Sequence, residues 1–181
     1  MLKVSKIAIG IFGGSFDPPH IGHVEISRIS LKKLNLKKIY WIVTKKNPFK
    51  KKTYFTLESR MIKSKRVTKK FKDIEVLHLD TKLKSSRMIK IINYFIKKNK
   101  KSDLYLILGS DNLLNFHKWT SWKKIAKLVK LVVFSRKGYD KKSKESIIVN
   151  YLNKKNIIFI KNKLINISSS NIKNQFLKDL K

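Results

Sequence analysis

Short apolar runs alternate along this chain with longer segments whose apolar residues recur every three or four positions, the pattern of strand and helix in an α/β fold. The runs predict strands over residues 6–12, 38–43, 73–79, 104–108, 131–135 and 156–160. The amphipathic stretches predict helices over 22–34, 57–70, 85–98, 122–127 and 143–153, with a last helix beginning near Ser169. Strands joined through helices pair in parallel with right-handed crossovers, so an open parallel sheet with helices on both faces is expected. In such sheets ligands bind beyond the carboxyl ends of the strands, where the strand order reverses. Four post-strand segments then stand out: GGSFDPPHIGH at 13–23, TKKNPFK at 44–50, GSDN at 109–112 and RKGY at 136–139.

Length and composition narrow the picture further. With 181 residues, 42% of them hydrophobic, the chain supports one core and so one domain over 1–181. Neither an internal repeat nor a Pro, Gly or Ser-rich linker divides it. It has no cysteine, which excludes disulfides and thiolate metal sites. MLKVSKIAIGIF at the start resembles the opening of a signal peptide, but Gly13, Gly14 and Asp17 cut the apolar run short. No segment approaches the roughly 20 apolar residues of a membrane helix, so a soluble, cytoplasmic protein without membrane contact is expected.

The charge is extreme, with 44 Lys and Arg against 11 Asp and Glu and a formal net charge of +33. Such a field draws any polyanion. The basic residues are nevertheless spread along the whole chain instead of forming one stripe, which reads as compositional bias, with nucleic acid bound only nonspecifically. Self-association into a homo-oligomer is left open.

The segment 13–23 carries the chemistry. Gly13 and Gly14 after a buried strand are expected to take positive φ and bring backbone N–H groups close to an anion, and the turn through Ser15 and Phe16 suits a triphosphate. His20 and His23 lie three apart, on one face of a starting helix, and Gly22 between them leaves room for phosphate at the helix N-terminus. A zinc site is the competing reading, but only Asp17 stands near the two histidines, and zinc needs further ligands. Ser15 lacks the elbow context of a nucleophilic serine.

GGSFDPPHIGH resembles the GGTFDPxHxGH motif of the HxGH nucleotidyltransferases, and the match to the nicotinate-nucleotide adenylyltransferases extends over most of the chain. The resemblance implies a Rossmann-like sheet, ATP and nicotinate mononucleotide as substrates, and deamido-NAD and pyrophosphate as products. Magnesium, as Mg2+, would come with ATP and be carried mainly by its phosphates. His20 and His23 would be the catalytic pair, acting on the triphosphate as charge-assisted donors. ISSSNIK at 167–173 is similar to the family's ISSTxIR element and would add Ser169, Ser170 and Lys173 to the ATP site, with lysine where the family has arginine. Arg136 would reach a phosphate; a salt bridge is its plainer alternative.

On the acceptor side the resemblance implies Lys50 near a phosphate, with Lys45 or Lys46 as alternatives, Thr44 and Asn47 in the same loop with Asn47 making polar contacts, Gly109 and Asp111 at a ribose, and Trp119 stacked on the pyridine ring. Asp111 could instead cap a helix, and Trp119 could pack in the core with Phe116 and Trp122. The family's Tyr-Thr-x-Asp-Thr segment is absent: the chain reads DTKLKSSRMIK at 80–90, leaving Ser85 or Arg87 to meet the acceptor's carboxylate. The chain also stops soon after Lys173. A phosphopantetheine adenylyltransferase is the alternative enzyme, although that family usually has TNGH where HIGH stands here. A basic nucleotide- or RNA-binding protein without turnover is the non-enzyme alternative, and the intact histidine pair argues against it.

Overall fold

The computed structural model describes residues 7–45 and 53–161. Six strands form one all-parallel sheet: β1 (Ala8–Gly14), β2 (Lys38–Val43), β3 (Ile74–Leu77), β4 (Asp103–Gly109), β5 (Lys130–Phe134) and β6 (Ile157–Ile160). Their spatial order is β3-β2-β1-β4-β5-β6, so the direction of winding reverses between β1 and β4. Residues along β1 and β5 are buried in unbroken runs and not alternately, as expected of strands covered on both faces.

One face is covered by α1 (Ile21–Lys33) and α2 (Leu57–Thr68), which pack around Val24, Trp41, Val76 and Phe134. The other is covered chiefly by α4 (Met88–Lys98), α5 (Ser110–Leu114), α6 (Trp122–Leu128) and α8 (Ile147–Tyr151), around Ile11, Phe95, Leu113 and Ile125. Two further short helices, α3 (Asp80–Leu83) and α7 (Asp140–Lys144), sit at strand exits. Of all the helices described, none is long and apolar enough to cross a membrane.

All six strands lie where the apolar runs place them, within two or three residues. The helices differ more. The helix expected over 143–153 is two, because the buried hydroxyls of Ser143 and Ser146 bond back to the carbonyls of Asp140 and Ser143 and close off α7. α8 then carries Ile148 and Val149 into the core. The helix expected from Ser85 begins at Met88, since Lys84 turns left-handed (φ 47°) after α3. The helix expected near Ser169 lies outside the described residues.

Gly10, in mid-β1, is where two layers meet. A Cβ there would lie 2.9 Å from Ile39 Cγ1, 3.0 Å from Ile107 Cδ1 and 3.1 Å from Leu36 Cδ1. Gly10→Ala should therefore overpack the sheet and cost about 1–3 kcal/mol, read as a lower denaturant midpoint. Because Gly10 touches no part of the crevice described below, Michaelis constants should not change.

Candidate active site

The reversal between β1 and β4 places the segments after both strands on one crevice. Gly13 and Gly14 are the last residues of β1 and stay extended; the positive φ expected of them falls instead on Phe16 (φ 45°). The cause is ladder pairing, which runs to Gly14 opposite Val43 and keeps both glycines in the strand. What Gly13 supplies is space, since a Cβ there would meet Met88 Cε at 2.5 Å. Phe16 buries its ring in a stack on Trp41, with centroids 4.6 Å apart and an 11° interplanar angle. Only its backbone is left for a ligand.

His20 is the N-cap of α1, and its Nδ1 accepts the Gly22 N–H at 3.1 Å. His23, one turn on, returns the favour: its Nδ1 accepts the His20 N–H at 3.2 Å. The two rings lie 3.8 Å apart. This reciprocal cap spends the Gly22 N–H on His20, so the helix N-terminus offers phosphate fewer free donors than expected. In exchange it sets the tautomers. With each Nδ1 accepting, each neutral ring carries its proton on Nε2.

Burial, reinforced by the charge of Arg136, lowers the His20 pKa from its ordinary 6.5 to about 4. The folded value lies below the unfolded one, so stability from neutral His20 is complete above pH 6.5 and is lost as pH falls toward about 4. Imidazole nitrogen NMR of the free protein should accordingly show His20 as the Nε2–H tautomer well below pH 6.5, titrating near pH 4. A midpoint at 6.5 would contradict this environment.

Arg136 follows β5 and is fixed through its backbone: its N–H is shared by Ser110 Oγ at 3.0 Å and Asp140 Oδ1 at 2.9 Å. Burial raises the Asp140 pKa, but the hydrogen bonds from Arg136, Ser110 and Ser135 and the charge of Lys144 outweigh it and hold the carboxyl below its ordinary value. The Arg136 guanidinium donates to Asp111 Oδ2 at 2.7 Å. The salt-bridge alternative is therefore realised, yet the pair sits in the crevice, with the arginine charge felt at His20.

Asp111 lies in the first turn of α5, and its other oxygen, Oδ1, is buried without a hydrogen-bond partner among the described residues. A Cβ on Gly109 would stand 2.5 Å from that oxygen, so a side chain there would push the carboxylate aside. Trp119 packs against Phe116 at 5.0 Å and borders the core, as its alternative reading has it, while its indole N–H is buried with no acceptor among the described residues. Thr44 is spent on the loop: its N–H and hydroxyl both donate to the Gly14 carbonyl, at 3.0 and 3.3 Å. Asn47, Lys50, Ser169, Ser170 and Lys173 lie outside the described residues.

Beneath the loop lie groups that sequence reasoning did not assign to the site. Asp17, fully buried, accepts the N–H groups of Tyr54 and Phe55 at 2.8 and 2.9 Å. Arg60 of α2 donates to the Ser15 and Thr44 carbonyls, and Asp80 accepts the Lys45 N–H at 2.7 Å. One signal was available. Arginine is scarce here, with five residues among 44 basic ones, which puts Arg60 among the few positions where a task beyond lysine could be sought.

The profile of the cytidylyltransferase-like family matches residues 11–175. A Pelagibacter ubique (strain HTCC1062) protein named "probable nicotinate-nucleotide adenylyltransferase" is 45% identical over 172 residues, covering 95% of each chain. A protein of the same name from Endomicrobium trichonymphae is 32% identical, covering 96% of this chain and 88% of its own. The fold matches the solved structure of Plasmodium falciparum nicotinic acid mononucleotide adenylyltransferase complexed with NaAD, with a TM-score of 0.71 at 20% identity, covering 93% of this chain and 83% of that one.

Proposed function

The chain belongs to the cytidylyltransferase-like family, among its nicotinate-nucleotide adenylyltransferases, and on that footing we propose that it moves the adenylyl group of ATP onto nicotinate mononucleotide in NAD biosynthesis. An oxygen of the acceptor's phosphate forms a bond to the α-phosphorus of ATP, the bond from that phosphorus to the β-bridging oxygen breaks, and deamido-NAD and pyrophosphate result. A phosphate monoester is already an anionic nucleophile at neutral pH, so no general base is required. The work left to the protein is alignment and stabilisation of charge on the departing pyrophosphate.

The observation that carries this reading is the meeting of the His20–His23 pair with Arg136 at the crevice where the strand order reverses. His20 and His23 donate from Nε2 to the triphosphate; with His20 neutral, the charge in its hydrogen bond comes from the phosphate. Arg136 supplies the fixed positive charge beside them. Gly13, Gly14, Ser15 and Phe16 offer backbone, and Gly22 holds the His20 ring. On the acceptor side the unpartnered Asp111 oxygen suits a ribose hydroxyl, and Trp119 borders the ring pocket. Magnesium would come with ATP, held mainly by its phosphates, and would supply charge neutralisation there. The net charge of +33 raises the local concentration of both anionic substrates.

A pyrophosphate-release assay with ATP, magnesium and a panel of acceptors tests the proposal. Nicotinate mononucleotide should turn over, the amide form more slowly or not at all, and phosphopantetheine not at all. Turnover of phosphopantetheine without either pyridine nucleotide would overturn the acceptor assignment.

A further inference from the structure

Arg60 is 1% exposed and is the one basic side chain buried among the described residues. Its donors are spent on main-chain carbonyls from three separate segments. Nη1 donates to Ser15 at 2.6 Å and to Thr44 at 2.8 Å, Nη2 to Lys45 at 3.3 Å, and Nε to Phe55 at 3.2 Å. The loop after β1, the exit of β2 and the entry to α2 are thus fastened at one planar group. A lysine ammonium, with three donors on one nitrogen, could not span four acceptors so spaced. Asp17 and Asp80 balance the charge and continue the fastening, Asp17 through Tyr54 and Phe55, Asp80 through Lys45.

The consequence for the phosphate loop follows from peptide geometry. In a planar trans peptide the N–H points opposite to the C=O, and the one cis bond among the described residues is Asp17–Pro18. Thr44 draws the Gly14 carbonyl toward β2, and Arg60 draws the Ser15 carbonyl toward α2. The N–H groups across those same two peptides, of Ser15 and Phe16, are therefore turned away from Thr44 and from Arg60. Phe16 leaves the second of these peptides in a left-handed turn (φ 45°), and the Phe16–Trp41 stack holds that turn from the other end.

We propose that Arg60 is a positioning residue for adenylyl transfer, one that aims the Ser15 and Phe16 N–H groups at the triphosphate and holds the β2 exit in register with them. The proposal rests on the assignment of ATP to this crevice. It differs from a purely structural role in that it predicts altered substrate binding in a protein that is still folded.

Arg60→Lys and Arg60→Gln test it, with Arg66→Gln, on the same helix, as the control. For each, the melting curve, the Kd of a non-hydrolysable ATP analogue and the KM and kcat of pyrophosphate release are measured well below the melting transition. In folded Arg60→Lys, ATP-analogue binding and KM for ATP should weaken roughly tenfold or more, the loss expected when a charge-assisted hydrogen bond no longer aligns its loop. Arg60→Gln should lose at least as much, and Arg66→Gln nothing. In the smaller variant Arg60→Ala, millimolar ethylguanidinium should restore turnover where methylammonium does not. A folded Arg60→Lys with unchanged Kd, KM and kcat would overturn the proposal. So would failure of every Arg60 variant to fold, because the guanidinium would then be holding the fold and not the site. Should the wild type bind the ATP analogue without turning over nicotinate mononucleotide, the acceptor assignment fails while the Kd comparison still decides the role of Arg60.

Discussion

His23→Ala is expected to slow pyrophosphate release by a factor on the order of 10² to 10³, the loss seen when one preorganised donor to a developing anion is removed. Two jobs disappear together in that variant. In the proposed reaction the imidazole presents its Nε2–H to the triphosphate, and in the structure its Nδ1 caps α1 by accepting the His20 N–H. The cap should cost about 1 kcal/mol, visible in the melting curve and too small to explain the rate. His23→Asn separates the two, because a short amide can accept the His20 N–H but cannot reach the phosphates. It should recover the melting temperature and leave the rate low. A near-normal rate in either variant would take His23 out of the chemistry.

Arg136→Gln should lower kcat/KM for ATP by roughly 10- to 100-fold, the equivalent of one charge-assisted hydrogen bond. The same variant carries an internal check. Arg136 is the second cause, after burial, of the low His20 pKa. Its removal should move the His20 midpoint upward from about 4, still short of 6.5 because burial persists. A drop in kcat/KM with an unmoved His20 titration would mean that Arg136 acts away from the histidines. Asp111, released from its ion pair, should also bind ribose hydroxyls differently, so a change in the acceptor KM is expected alongside.

Much of this architecture could be read in the sequence because its causes are local. The apolar runs marked all six strands, since strands of a doubly covered sheet must be apolar on both sides whatever their order. GGSFDPPHIGH announced phosphate chemistry because a strand end, a helix start and two histidines one turn apart are all short-range features. The short helices α3 and α5 were missed, being too brief for periodicity to register, and α7 was run together with α8.

What the tertiary structure decided were the relations between segments far apart in the chain. The strand order brought residues near 20 and 136 together, so that the charge of Arg136 could help hold His20 neutral; no spacing within either motif encodes that. The pairing of Arg136 with Asp111 turned two separately assigned ligand residues into one ion pair. Arg60 lay inside an amphipathic helix and was given no role in the sequence reading, yet it is buried beneath the loop after β1 and the connection from β2 to α2. Periodicity reports which face a residue is on. Whether a charge on that face meets water or converging carbonyl groups depends on which loops the fold lays over it, and that is settled only when the sheet is assembled.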